Sequence, residues 1–306
     1  MREGEPSHTA SWVAFLRGLA SLGRAPVSHD PYAVRLLGWP YAVPLRLGGV
    51  FPRVSRGFCA IQDALDGGRM RHFELRSAAI DAALVAFSRE HADATLVVLG
   101  AGLDARAYRL KDVFARSIEI DHPSTQPTKR RRLEQAGIAS DHVTFAPCDF
   151  ADRALVAVGP PSLATPLAGN SSAVANGRAL VDVLAREVTG DRPVAVVWEG
   201  VTMYLDAVHI DASLDALAKY LPSKSLLAVT YLAAKPTKAL DIAVRAAGEQ
   251  FRFYEGSERF ADRLKGHRFR VTEDTGDTEW NRRFLERPTR AGGDLAERLA
   301  VAILEG

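Results

Sequence analysis

The stretch "VVLGAGLDARAYRL", residues 97–110, runs from apolar residues into a glycine pair and then meets an acid. Gly100 and Gly102 free the backbone for a tight turn and close ligand approach, and Ala105 completes a G-x-G-x-x-A pattern. Such a run reads as strand, turn and helix start, the opening unit of a nucleotide-binding α/β fold. Its odd member is Asp104. A helix start after such a turn commonly receives phosphate on free N–H groups, and a carboxylate there opposes a second anion.

Further short apolar runs lie downstream, "RSIEID" (116–121), "VTFAPCD" (143–149), "PVAVVWE" (193–199) and "SLLAVTY" (225–231), separated by helical stretches. Runs that are apolar on both faces suit a parallel sheet covered by helices, which places the chain in the α/β class as a doubly wound, Rossmann-like sheet. Upstream, residues 9–22 and "HDPYAVRLLG" read as two helices, 40–68 reads as irregular, and Phe73, Ile80, Leu84 and Phe87 mark a longer helix from Arg69 to His91. The expected organisation is a helical N-terminal lid over 1–91 and a core over 92–306. "VGPPSLATPLAGNSSAVANG" (158–177) reads as a mobile surface insertion in that core.

With 306 residues, 47% of them apolar, the chain is long enough to bury a large core. Its net charge of +2 sits on 39 basic and 37 acidic residues, so no field of one sign favours nucleic acid or an anionic membrane. Cys59 and Cys148 lack paired spacing, the histidines lack metal-ligand spacing, and no apolar run approaches membrane-span length. A soluble cytoplasmic protein without a metal is expected. "KRRR" (129–132) reads as the solvated face of a helix, and His122 as a turn residue.

Doubly wound sheets bind ligands beyond the carboxyl ends of their strands. Nineteen residues after Gly100 stands Glu119, and Asp121 follows where a carboxylate can take both ribose hydroxyls. Two cofactors share that geometry, a dinucleotide such as NAD and S-adenosylmethionine. Asp104 disfavours the pyrophosphate of the first and suits the cationic end of the second, although it can equally cap its own helix. Arg76, on the flank of an apolar stripe, requires a path to solvent or a carboxylate partner, which is either the cofactor's or a protein acid such as Asp81 or a lid acid. Asp149 is placed to accept an adenine amino group, with Phe150 packing on the ring. In "WEGVTMYL", Glu199, Gly200 and Tyr204 should face the same crevice, Glu199 and Tyr204 at its reacting end.

The blocks "RSAAIDAAL", "VVLGAGLDARAYRL", "IEIDHPSTQPTKRRRL", "CDF" and "VVWEGVTMYL", in this order, resemble the leucine carboxyl methyltransferase family, in particular its bacterial polyketide-type O-methyltransferase branch. "EWNRRFLER" resembles the family's closing strand region. The resemblance implies S-adenosyl-L-methionine as methyl donor. It also implies Arg76 on the donor's carboxylate, Gly100, Gly102 and Asp104 in the cofactor loop, Asp121 on the ribose, Asp149 and Phe150 beside the adenine, and Glu199 with Tyr204 near the methyl group. The 158–177 insertion departs from the family's compact pattern. The implied reaction is O-methylation of a small-molecule carboxylate or hydroxyl. A carboxylate needs no base, whereas a hydroxyl would draw on Glu199, Tyr204 or His72. The absence of a strand-end histidine favours the carboxylate. An NAD-dependent oxidoreductase, a methyltransferase acting on a protein C-terminus, and a cofactor-binding protein without catalysis are the rival readings.

Overall fold

In the computed structural model, which describes residues 8–22, 26–51, 68–150, 180–286 and 295–306, β1 (Thr95–Leu99) lies at the centre of a seven-stranded sheet. Its neighbours are β2 (Arg116–Asp121) and β4 (Val194–Trp198), both parallel to it. β3 (Val143–Pro147) continues one side and β5 (Leu226–Leu232) the other, again in parallel. β6 (Phe269–Gly276) and β7 (Glu297–Leu304) complete the order β3-β2-β1-β4-β5-β7-β6, with β7 antiparallel to both neighbours. The order reverses between β1 and β4, which opens a crevice at their carboxyl ends.

Every residue of β4 and β5 is buried, as expected of strands covered on both faces. One face of the sheet packs on α7 (Leu180–Glu187), α8 (Ala207–Tyr220) and α10 (Ser257–Gly266), through residues such as Val183, Ile210, Leu214, Phe260 and Leu264. The opposite face receives α4 (Arg69–Glu90), whose Leu75, Ile80, Leu84 and Phe87 meet Leu96, Val98, Ala195 and Val197. The helical N-terminal lid expected over 1–91 is therefore not one unit. α4 belongs to the helical layer of the sheet, because its apolar stripe is buried against the strands. Among the described residues, α1 (His8–Ala20), α2 (Ala33–Leu36) and α3 (Ala42–Val50) form a second apolar cluster with Met70 and Phe73 at the start of α4, packed through Leu16, Leu19, Leu36 and Leu45 near Tyr108 and Leu133.

α3 corrects the irregular reading of 40–68 for its own span. Pro44 stands in the first turn, where the missing N–H costs no intrahelical bond, and Leu45 is buried against α1 and α2. "EWNRRFLER" also differs from expectation: 277–284 form α11 (Asp277–Phe284), whose Trp280 is buried in the sheet layer. The closing strands are β6 and β7 instead. Lys129 is not solvated either. On α6 (Gln126–Gln135) it is buried and paired with Glu119 at 2.8 Å, while its Nζ donates to the Asp104 carbonyl at 2.6 Å. Arg130 and Arg131 are exposed. Cys59 and the 158–177 insertion lie outside the described residues.

The turn after β1 is tied to β2. Gly100 N–H and Ala101 N–H both donate to the Ile120 carbonyl, at 2.8 and 3.2 Å. Gly100 has φ +64°, and a Cβ there would collide with Val201 Cγ2. Gly100→Ala therefore combines a disfavoured backbone with a clash, a loss of about 1–3 kcal/mol. Urea denaturation should show that loss, and adding Val201→Ala should recover the steric part only.

Candidate functional site

A cavity of about 1140 Å³ opens at the carboxyl ends of β1, β2 and β4. Arg76, Gly100, Gly102, Asp104, Asp121, Asp149, Phe150, Glu199 and Tyr204, all expected from the sequence, line it together. The sheet explains their convergence: Gly100 directly follows β1, Asp121 ends β2 and Glu199 follows β4. Asp121 is buried and its Oδ2 accepts the Gly102 N–H at 3.0 Å, so the acid and the glycine turn form one rigid corner. Burial raises the Asp121 carboxyl above its ordinary range, although the His122 and Gly102 N–H groups and Lys129 oppose the rise. Phe150 is buried against Trp198, and Tyr204 stacks on Phe251 with ring centres 5.6 Å apart.

Asp104 is engaged within the protein. Its Oδ1 accepts the Arg106 N–H at 2.8 Å and its Oδ2 accepts from Arg106 Nη1 at 2.5 Å. The carboxylate thus fills the anion position at the start of α5 (Arg106–Arg109). Both oxygens bond Arg106, so the carboxylate caps its own helix, the role the sequence also offered, while the residue still lines the cavity. Burial would raise this carboxyl, but the charges of Arg106 and Arg17 overcome it and the net shift is downward.

Arg106 is fully buried and also reaches Asp81, at 2.7 Å from Nε, and Glu199, through Nη1. Glu199 is also ion-paired with Arg76, Nη2 to Oε1 at 2.6 Å, and Arg17 lies 3.9 Å away. Burial disfavours the Glu199 anion, yet these guanidinium charges hold it far below the usual carboxylate range. A carboxylate so committed stays ionised at neutral pH and accepts no proton in that range. His72 is also withdrawn: it is fully buried, with Nδ1 2.8 Å from Asp277 Oδ1 and Nε2 2.8 Å from Glu297 Oε2. Neither can serve as the base considered for a hydroxyl acceptor. His122, by contrast, directly follows β2 and lines the cavity 3.7 Å from Asp149, so a strand-end histidine does exist. Its Nδ1 sits 2.7 Å from Ser124 Oγ.

Arg76 pairs with Glu297 and Glu199, not with Asp81, which holds Arg106 and Arg109. Arg17, Arg106 and Glu297 are the members of this network that sequence reasoning missed. Arg17 carries the signal that exposed Arg76, a charge between apolar positions of a helix, here Val13 and Ala20. Glu297 opens β7 and shows no local signal. Among the described residues no His, Cys, Asp and Glu cluster could hold a metal, and no helix is long and apolar enough to cross a membrane.

The profile of leucine carboxyl methyltransferase matches residues 10–158. A "Putative S-adenosyl-L-methionine-dependent methyltransferase" of Mycolicibacterium gilvum is 30% identical over 276 residues, covering 83% of this chain and 79% of that protein. The chain belongs to the leucine carboxyl methyltransferase family. With membership comes the family's cofactor, S-adenosyl-L-methionine. A Mycobacteroides abscessus protein of the same description is 34% identical over 136 residues, 42% of each chain. That match spans less than half of the relative's length. A crystal structure from Thermobifida fusca, named a "putative methyltransferase", superposes with a TM-score of 0.57 at 13% identity over 99% of this chain and 96% of that one. It shares the fold.

Two outcomes follow from the buried charges of this methyltransferase-family site. Glu199→Ala strands the Arg76 and Arg106 guanidinium groups, and chemical denaturation should register a loss of about 3–5 kcal/mol. Glu297 is disfavoured as an anion by burial, but Arg76 and His72 bring it down to about 2 from 4.5. The stability it contributes is complete above 4.5 and is lost as pH falls through the folded value. Denaturation midpoints measured from about pH 5 to about 2 should therefore fall less steeply in Glu297→Gln than in the parent.

Proposed function

We propose that this protein transfers the methyl group of S-adenosyl-L-methionine to a carboxylate oxygen of a small molecule, with a polyketide-like acid as the expected acceptor. One observation carries the choice of cofactor: the anion position at the start of α5 is already filled by the Asp104 carboxylate, bonded to the Arg106 N–H and side chain. A pyrophosphate would meet a fixed negative charge there. A donor with no phosphate does not.

The lining residues fit such a donor. Arg76, buried with an Nε–H that makes no hydrogen bond, supports recognition of the methionine carboxylate. Gly100 and Gly102 permit close backbone approach. Asp121, rigidly held, is assigned the ribose hydroxyls, and Asp149 with Phe150 the adenine. When bound, the cofactor supplies a methyl group activated by a sulfonium.

The protein's part is alignment and exclusion of water. A substrate carboxylate is already a nucleophile, and holding its oxygen in line with the methyl carbon and sulfur converts an encounter into an intramolecular step. Glu199 contributes by fixing Arg76 at the cavity wall and pairing with the buried Arg106 behind it. It is a positioning anion rather than a base. Tyr204, stacked on Phe251 at the same end, borders the acceptor. The withdrawal of Glu199 and His72 into ion pairs removes two of the bases that a hydroxyl acceptor would require and so supports a carboxylate, while His122 and Tyr204 are the lining groups through which a hydroxyl acceptor would have to lose its proton.

The test uses S-adenosylmethionine with a labelled methyl group and a panel of aromatic and aliphatic acids, phenols and alcohols. Label is expected in products that release methanol in mild alkali, as esters do, with kcat/KM flat from about pH 6 to 9 because no base is titrated. Label retained through alkali would overturn the carboxylate reading. Saturable binding of NADH without binding of S-adenosylmethionine, measured by calorimetry, would overturn methyl transfer itself. Asp121→Asn should weaken S-adenosylmethionine binding about tenfold or more in the same calorimetric assay.

A further inference from the structure

From Arg76 a chain of buried groups that the reaction described above does not use runs through Glu297, at the cavity lining, to His72 and Asp277, which do not line the cavity. Glu297, the first residue of β7, receives Arg76 Nη1 on both oxygens, at 2.8 and 2.6 Å. Its Oε2 also faces His72 Nε2 at 2.8 Å. The opposite nitrogen of His72 meets Asp277 Oδ1 at 2.8 Å, at the start of α11. The imidazole is fully buried and enclosed by Phe73 and Trp280, at ring distances of 5.2 and 5.6 Å. A neutral imidazole donates from one nitrogen only, whereas here both face carboxylates. Burial disfavours the imidazolium, but the hydrogen bonds and charges of Asp277 and Glu297 prevail and raise the histidine.

We infer that His72 and Glu297 are positioning residues for the cofactor's carboxylate, holding the Arg76 guanidinium in place from behind. The inference rests on the reading that Arg76 binds that carboxylate. Two physical arguments support it. An arginine side chain has many rotamers, and Glu297 on one side with Glu199 on the other removes that freedom before a ligand arrives. Charge is the second argument. Arg76 faces two carboxylates, and unless those anions have other partners its positive charge is spent within the protein. Arg106 engages Glu199 and His72 engages Glu297, which leaves Arg76 able to attract a third carboxylate.

The arrangement also links parts that are distant in sequence. His72 and Arg76 stand one turn apart on α4, while Asp277 and Glu297 come from the closing segment that contributes the antiparallel strand. A purely structural clasp between α4, α11 and β7 would affect all ligands of the cavity alike. A positioning role would affect only those carrying the methionine carboxylate.

The experiment compares two ligands of the full-length protein by calorimetry: S-adenosylhomocysteine, which has the carboxylate, and 5′-methylthioadenosine, which lacks the amino-acid end. Arg76→Met is expected to weaken S-adenosylhomocysteine about a hundredfold and leave methylthioadenosine within about twofold. Equal loss for both ligands would refute the reading of Arg76. His72→Gln and Glu297→Gln should each weaken S-adenosylhomocysteine about tenfold, again sparing methylthioadenosine. Adding either change to Arg76→Met should produce no further loss, since the effect passes through the missing guanidinium. Should Arg76→Met discriminate between the ligands while the other two variants weaken neither or both equally, the positioning role is overturned. Should His72→Gln fail to fold, Glu297→Gln decides the outcome by the same comparison.

Discussion

Arg106 lies fully buried and holds carboxylates from three parts of the chain: Asp81 on α4, Asp104 in the turn after β1, and Glu199 beyond β4. A guanidinium removed from water is costly unless its donors are satisfied, so these elements can close only with all three acids present. Asp104 and Glu199 are then fixed at the cavity wall. Glu199 passes the constraint to Arg76, Glu297 extends it to His72, and Asp81 extends it to Arg109. The rim of the crevice is built as an alternating lattice of charges at the ends of a sheet whose central strands β1 and β4 are apolar.

This lattice changes what each acid can do. In isolation Asp104 and Glu199 suggest groups awaiting a cationic ligand or a proton. Joined to Arg106 both are ion-paired within the protein, which keeps them ionised and leaves a fixed negative charge at the start of α5. The cavity is also lined by the glycine turn, the Asp121 corner, Arg76, Phe150 and Tyr204. Preorganisation of this sort favours alignment chemistry, in which reactants are held rather than activated by proton transfer.

The antiparallel end of the sheet contributes to the site as well as to the core. β7 packs Leu299 and Val301 against the layer under α4, and its first residue, Glu297, enters the charge lattice. α11 adds Asp277 behind His72. An acid at the start of a strand far along the chain thereby holds an arginine near the beginning. The site is closed across most of the length of the sequence.

From its residues alone, the chain determines the parallel centre of the sheet and the list of groups at its carboxyl ends. Strands such as "VAVVW", apolar on both faces, can only be buried, and a polar residue directly after such a strand must emerge at the crevice, which is why nine separate residues were legible as lining one cavity. β6 was not legible because it is an edge strand with a half-exposed, polar pattern, and α3 was hidden by its proline and glycines. Which carboxylate pairs with which arginine was decided only by tertiary structure. Ion pairs join residues such as Arg76 and Glu297 without a sequence period, since geometry and shared desolvation, not local propensity, choose the partner.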